Sequence, residues 1–164
     1  MPEKKITTCL WFDDEAEAAA DYYLSVFGDG RITDVRRYSE AGPGEPGSVV
    51  FVLFELFGQP FMALNGGKAD WSFNESVSFQ VQCEDQAEVD DLWAKLTADG
   101  GQESQCGWLR DRYGVSWQIE PKRLLELLAD PDPARVARVT EAMLTMQKID
   151  IPALEAAARQ PTTP

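Results

Sequence analysis

Apolar and polar side chains alternate without a break over residues 77–83: Val77, Phe79, Val81 and Cys83 on one side, Ser78, Gln80 and Gln82 on the other. Successive side chains of a β-strand point to opposite faces, so this stretch predicts a strand with one greasy face and one face of neutral hydrogen-bonding groups. Water accounts for such a face, and a lined cavity accounts for it equally well. The same period recurs over residues 115–120, where Ser116, Gln118 and Glu120 alternate with Trp117 and Ile119. A short β-rich run at residues 6–12 places Thr7, Cys9 and Trp11 on one face. Further strands are expected at 31–38, 48–56, 60–64 and 105–110. The Gly- and Pro-rich loop 41–47 and turns at Gly58-Gln59 and Tyr113-Gly114 separate them.

Helical spacing appears between these runs. Ala16, Ala19, Ala20, Tyr23, Val26 and Phe27 make one stripe, and Val89, Leu92, Trp93 and Leu96 make a second. Asp14 with Glu17 and Asp85 with Glu88 read as capping pairs, with Gly28 and Gly100-Gly101 as the stops. From residue 122 the chain is predicted to be helical. Leu124, Leu125, Leu127 and Leu128 form a short apolar helix. Asp132-Pro133 is an N-cap followed by a proline at the first helical position, and Val136, Val139, Met143 and Met146 run down one face. Residues 151–158 add a last helix. A Met-bearing stripe of this kind is read as packing, either on this chain's own sheets or on a second subunit.

A shift of 71 residues superimposes two halves of the sequence. Phe12-Asp13-Asp14-Glu15-Ala16-Glu17-Ala18 lies over Cys83-Glu84-Asp85-Gln86-Ala87-Glu88-Val89, Tyr22 over Trp93, and Gly30 over Gly101. One βαβββ unit therefore reads as used twice, at about residues 6–66 and 77–121. The expected fold is α+β: two βαβββ units forming cupped mixed sheets with a shared concave face, making one domain over 1–121, with a C-terminal helical extension over 122–164.

Composition narrows the chemistry. The 164 residues are 44% hydrophobic, enough for a real core, and no apolar run approaches a membrane span. No signal-peptide pattern opens the sequence, so the expected compartment is cytoplasmic, with Cys9, Cys83 and Cys106 reduced. A net charge of −13 argues against nucleic acid and anionic membranes as partners. The sequence has no histidine. That removes Ser-His-Asp and Cys-His catalysis and His-ligated zinc together.

The paired βαβββ pattern resembles the vicinal oxygen chelate superfamily of glyoxalase I, extradiol dioxygenases and bleomycin- and fosfomycin-resistance proteins. The segments Trp71-Ser72-Phe73-Asn74-Glu75-Ser76 and Cys106-Gly107-Trp108-Leu109-Arg110-Asp111-Arg112-Tyr113-Gly114-Val115-Ser116-Trp117-Gln118 are similar to its PhnB-like branch, which carries the label 3-demethylubiquinone-9 3-methyltransferase domain. The resemblance implies cupped sheets with helices outside and a homodimer. It also implies metal-ligand positions on the first and last strands of each unit. Carried over by strand position, these fall near Thr7, Ala63, Ser78 and Gln118, none of them His, Glu or Asp. Transition metals prefer imidazole, thiolate or carboxylate donors, so no metal and no cofactor are expected.

Methyl transfer with S-adenosylmethionine calls for a Gly-rich turn between a strand and a helix. Gly28-Asp29-Gly30 follows a helix, and Gly42-Pro43-Gly44 joins two strands. Three readings remain: a metal-free binding protein whose cup, lined by Thr7, Cys9, Trp11, Ser78, Gln80, Gln82, Ser116, Gln118 and Glu120, holds a small polar or aromatic molecule; an enzyme acting through Cys9, Glu120 or a metal placed elsewhere; and a dimeric module with a vestigial cup.

Overall fold

In the computed structural model, residues 4–160 are described. The chain forms two compact units, Met1–Ser72 and Phe73–Pro164. The first contains β1 (Thr8–Phe12), α1 (Ala16–Phe27), β2 (Gly30–Arg37), β3 (Val49–Leu56) and β4 (Gln59–Asn65). Its sheet has the order β1-β4-β3-β2, with β1 and β4 parallel and the other pairs antiparallel. The second contains β5 (Ser78–Cys83), α2 (Gln86–Thr97), β6 (Gln102–Glu103), β7 (Trp108–Arg110) and β8 (Ser116–Pro121), followed by α3 (Lys122–Leu128), α4 (Pro133–Leu144) and α5 (Ile151–Arg159). Its sheet repeats the scheme as β5-β8-β7-β6, with β5 and β8 parallel. The duplicated βαβββ unit read from the sequence is present.

Each helix covers one face of its own sheet. Ala16, Ala19, Ala20, Tyr23 and Val26 of α1 are buried, as are Leu10, Val52, Phe54 and Phe61 of its sheet. Tyr23 stacks on Phe54 at 6.2 Å between ring centroids, and Phe54 on Phe61 at 5.3 Å. Val89, Leu92, Trp93 and Leu96 of α2 are buried together with Trp117 and Ile119. Burying each such side chain contributes on the order of 1.5–3 kcal/mol.

The two helices start differently. Asp85 caps α2 as expected: its Oδ1 accepts from the Glu88 N–H at 3.0 Å, while Glu88 Oε2 accepts from the Glu84 N–H at 2.6 Å. In α1 the expected Asp14 cap does not form. The helix begins after Glu15, whose side chain makes no capping bond, and Asn65 at the end of β4 accepts from the Ala16 N–H at 2.8 Å. The cause is one extra residue between β1 and α1. The strands superimpose at an offset of 71, Phe12 on Cys83, but the helices at 70, Ala16 on Gln86. The buried partner of Trp93 is therefore Tyr23, not Tyr22.

One expected strand is much shorter, and one strand was not expected. Residues 105–110 yield only the three residues of β7, because Cys106, at φ 57°, and Gly107, at φ 83°, turn the chain there. β7 lies between β8 and the two-residue β6, antiparallel to both, and β6 is the strand the sequence did not signal.

The tail folds onto the second unit. Leu124, Leu127, Val139, Ile149, Leu154 and Ala158 form one buried cluster, with Met143 and Met146 packed against it. Asp132 and Asp150 cap α4 and α5 through the Ala134 and Ala153 N–H groups. Gln86 at the start of α2 ties the tail down, donating to the Ile149 carbonyl at 3.0 Å and accepting from the Ile151 N–H at 2.7 Å. Among the described residues, no helix is long and apolar enough to cross a membrane.

Candidate functional site

The parallel pairing of β5 with β8 places Ser78 beside Ser116, Gln80 beside Gln118, and Gln82 beside Glu120. Strand alternation then gathers all six on the sheet face opposite α2, while Phe79, Val81, Trp117 and Ile119 point toward the helix. The intervening positions are apolar because that side is core, and the six polar positions are left for hydrogen bonding.

These side chains are organised among themselves. Gln118 Nε2 donates to Ser78 Oγ at 2.8 Å, and Gln80 Nε2 donates to Glu120 Oε2 at 2.6 Å. Both bonds cross between the strands diagonally. Desolvation raises the Glu120 carboxyl above its ordinary value, and the bond from Gln80 lowers it by less. Ser116 is only 1% exposed, and its Oγ has no hydrogen-bond partner among the described residues. Buried hydroxyls are nearly always paired, so this oxygen marks a place where polar company is wanted. Gln82 is exposed.

The three candidates in the first unit lie differently. Thr7 precedes β1 and is exposed, so it is outside the strand it was assigned to. Cys9 and Trp11 share the sheet face opposite α1, as expected. Cys9 is exposed as a residue, and partial desolvation of its thiol pushes it up, which disfavours the thiolate. Trp11, 37% exposed, donates its indole N–H to the Gly67 carbonyl at 2.9 Å and meets Trp71, 63% exposed, edge to face at 5.4 Å. A Cβ on Gly66 would come within 2.1 Å of the Trp11 ring, so the indole sits where only glycine allows. The pairing of Cys9 with Met62 and Trp11 with Leu64 makes this face apolar and aromatic.

One residue that organises the site was not singled out in the sequence. Asp111, 2% exposed, accepts from the Tyr113 N–H at 2.9 Å, the Val115 N–H at 3.1 Å and the Trp117 indole N–H at 2.9 Å. It closes the turn into β8 and fixes Trp117, and thereby the register of Ser116 and Gln118. The signal was an Asp followed three residues later by Gly114, the pattern of a turn in which the Asp side chain takes the next backbone N–H groups.

A sequence profile of the family described as 3-demethylubiquinone-9 3-methyltransferase matches residues 4–120. A Bacillus cereus PhnB protein, described as a putative 3-demethylubiquinone-9 3-methyltransferase, is 36% identical over 72% of this chain and 99% of its own, with a TM-score of 0.65. The chain belongs to this PhnB-like family. Two more distant structures share the fold of the PhnB-like chain. A Pseudomonas aeruginosa protein is 17% identical over 73% of this chain and 98% of its own, at a TM-score of 0.60. The fosfomycin resistance protein of Listeria monocytogenes is 16% identical over 79% and 100%, at a TM-score of 0.53. A comparison with curated proteins gives no match.

Within the PhnB-like fold the register corrects one metal-ligand position. Ala63 pairs with Leu10 and is fully buried on the α1 side, so Met62, paired with Cys9, takes the place assigned to it. None of Thr7, Met62, Ser78 and Gln118 carries an imidazole, thiolate or carboxylate, the donors that divalent transition metals prefer. Among the described residues, no group of three or more Cys, Asp or Glu side chains is arranged to hold a metal ion.

Proposed function

We propose that this PhnB-like protein binds a small polar or aromatic molecule without the metal used elsewhere in the superfamily, and that the polar face of β5 and β8 is where the molecule is held. The observation that carries this reading is the pre-ordered polar face, with Gln118 bonded to Ser78 and Gln80 to Glu120 beside a buried, unpartnered Ser116 hydroxyl. An arrangement of amides and hydroxyls held before binding loses little entropy when a ligand arrives. Domain and assembly are part of the same proposal: residues 1–121 as the binding domain, 122–164 as an extension, and a cytoplasmic homodimer. The family profile ends at residue 120, which supports the first of these.

Catalysis through Cys9 is disfavoured by its raised thiol pKa. Methyl transfer as the family description words it lacks a Gly-rich strand-to-helix turn in this sequence.

The test is a thermal-shift screen of metabolites and antibiotics against wild type and Gln118→Leu. A compound that stabilises the first and not the second supports the reading. A compound that stabilises both equally places binding elsewhere. Stoichiometric Mn, Fe, Ni or Zn in protein purified without chelator contradicts the metal-free part. Light scattering that returns a monomer across micromolar concentrations contradicts the dimer.

A further inference from the structure

We infer that the β5–β8 face selects ligands that present a positively charged hydrogen-bond donor, an ammonium or amidinium group, to Glu120. This deepens the proposed function and rests on its placement of the ligand.

The argument begins with the donors and acceptors. An ionised carboxylate only accepts, so Gln80 must turn its Nε2 toward Glu120, at 2.6 Å, and its Oε1 remains available to accept. Glu120 keeps its second oxygen. Ser78 Oγ is already accepting from Gln118, and Ser116 Oγ is unpartnered. The face therefore offers a carboxylate oxygen and an amide oxygen, with the buried Ser116 hydroxyl on the same face. Charge decides the class. The ordered group beside Glu120 is a neutral amide, and no lysine or arginine contributes to holding its carboxyl down. On the neighbouring strand Arg110 is committed to Gln102 at 2.8 Å and to Glu75 at 3.6 Å. A half-buried carboxylate without a cation is under-solvated. A ligand cation gives it a charge-assisted bond, about twice as strong as a neutral one. An anionic head group meets repulsion at the same place.

Three probes that share a phenyl ring and differ only in head group test this: benzylamine, benzyl alcohol and benzoate. Backbone and side-chain amide NMR shifts are followed in wild type and Glu120→Gln, which keeps the shape and the acceptor for Gln80. Salt of about 0.15 M screens the chain's general negative charge. Benzylamine is expected to shift Ser78, Gln80, Ser116 and Gln118, to bind at least about fivefold more tightly than benzyl alcohol, and to lose that advantage in Glu120→Gln. If benzyl alcohol or benzoate binds this face as well as benzylamine does, the face remains a binding site and the cation preference is wrong. If no probe perturbs these residues, or benzylamine perturbs only others, both the preference and the site fall. Glu120→Gln must melt no lower than wild type; if it melts lower, Glu120→Ala is read against Gln82→Ala, which changes the same face without removing the charge.

Discussion

Asp111 offers the sharpest test of how the second unit is built. Replacing it with Ala leaves three N–H donors without their acceptor, two of them buried, on Val115 and the Trp117 indole. Each buried donor left unpaired costs about 1–3 kcal/mol, and Tyr113 can turn to water, so the total is about 2–6 kcal/mol. A chain of this size loses about 2–4 °C of Tm per kcal/mol, which makes the expected drop about 4–24 °C. Asp111→Asn is more informative. Its amide oxygen still accepts from Tyr113 and Val115, but its Nδ2 then faces the indole N–H, donor against donor. The expected cost is about 1–3 kcal/mol. Trp117→Phe removes that conflict in the Asn background, while in the wild type it strands one carboxylate oxygen. The double mutant is therefore less destabilised than the sum of the singles, by about 1–2 kcal/mol. Urea unfolding followed by circular dichroism measures all four corners of the cycle. Additivity within about 0.5 kcal/mol, or an Asn variant as stable as wild type, would refute the network.

Other expectations follow from the same contacts. Because desolvation raises the folded-state pKa of Glu120, its ionisation works against folding once pH passes the unfolded value, and the deficit grows until pH passes the raised folded value. Glu120→Gln should gain stability near neutral pH and none under acid, and a gain that is equal at both would contradict the assignment. Ser116→Ala removes an orphan hydroxyl and should be neutral or stabilising by up to about 1 kcal/mol; a loss beyond that in thermal melts would reveal a hidden partner. Gly66→Ala forces the Trp11 ring away and should cost about 1–3 kcal/mol with a red shift of tryptophan emission. Gln86→Ala frees the backbone at residues 149 and 151, and hydrogen exchange at Ile151 should accelerate while that at Leu92 does not.

Much of this was legible because alternation and helical spacing are written directly in side-chain chemistry. The polar set Ser78, Gln80, Gln82, Ser116, Gln118 and Glu120 does share one sheet face, since a period of two admits no other outcome once β5 and β8 pair. The tail helices announced themselves through Asp132-Pro133. What sequence could not supply were relations set by geometry over long separations. Ala63 was placed on the wrong face because register depends on which residue of β1 meets which of β4. The α1 cap comes from Asn65, 49 positions after the amide it serves, where no local pattern points. Thr7 fell just outside its strand because strand ends are set by pairing and not by propensity. Pairing Trp93 with Tyr22 failed for a similar reason, since one inserted residue before the helix moved the whole stripe by 100°, about one residue's turn.

The Asn65 cap has a bearing on the order in which the first unit assembles. Every residue of α1 leaves the ribosome well before residue 65 does, so the helix can form early but its first turn frays until β4 is made and seated beside β1. The second unit has no such delay, because Asp85 and Glu88 close the α2 start as soon as that segment exists. In pulsed hydrogen exchange during refolding, the Ala16 amide should gain protection together with the β4 amides, and the Glu88 amide ahead of β8.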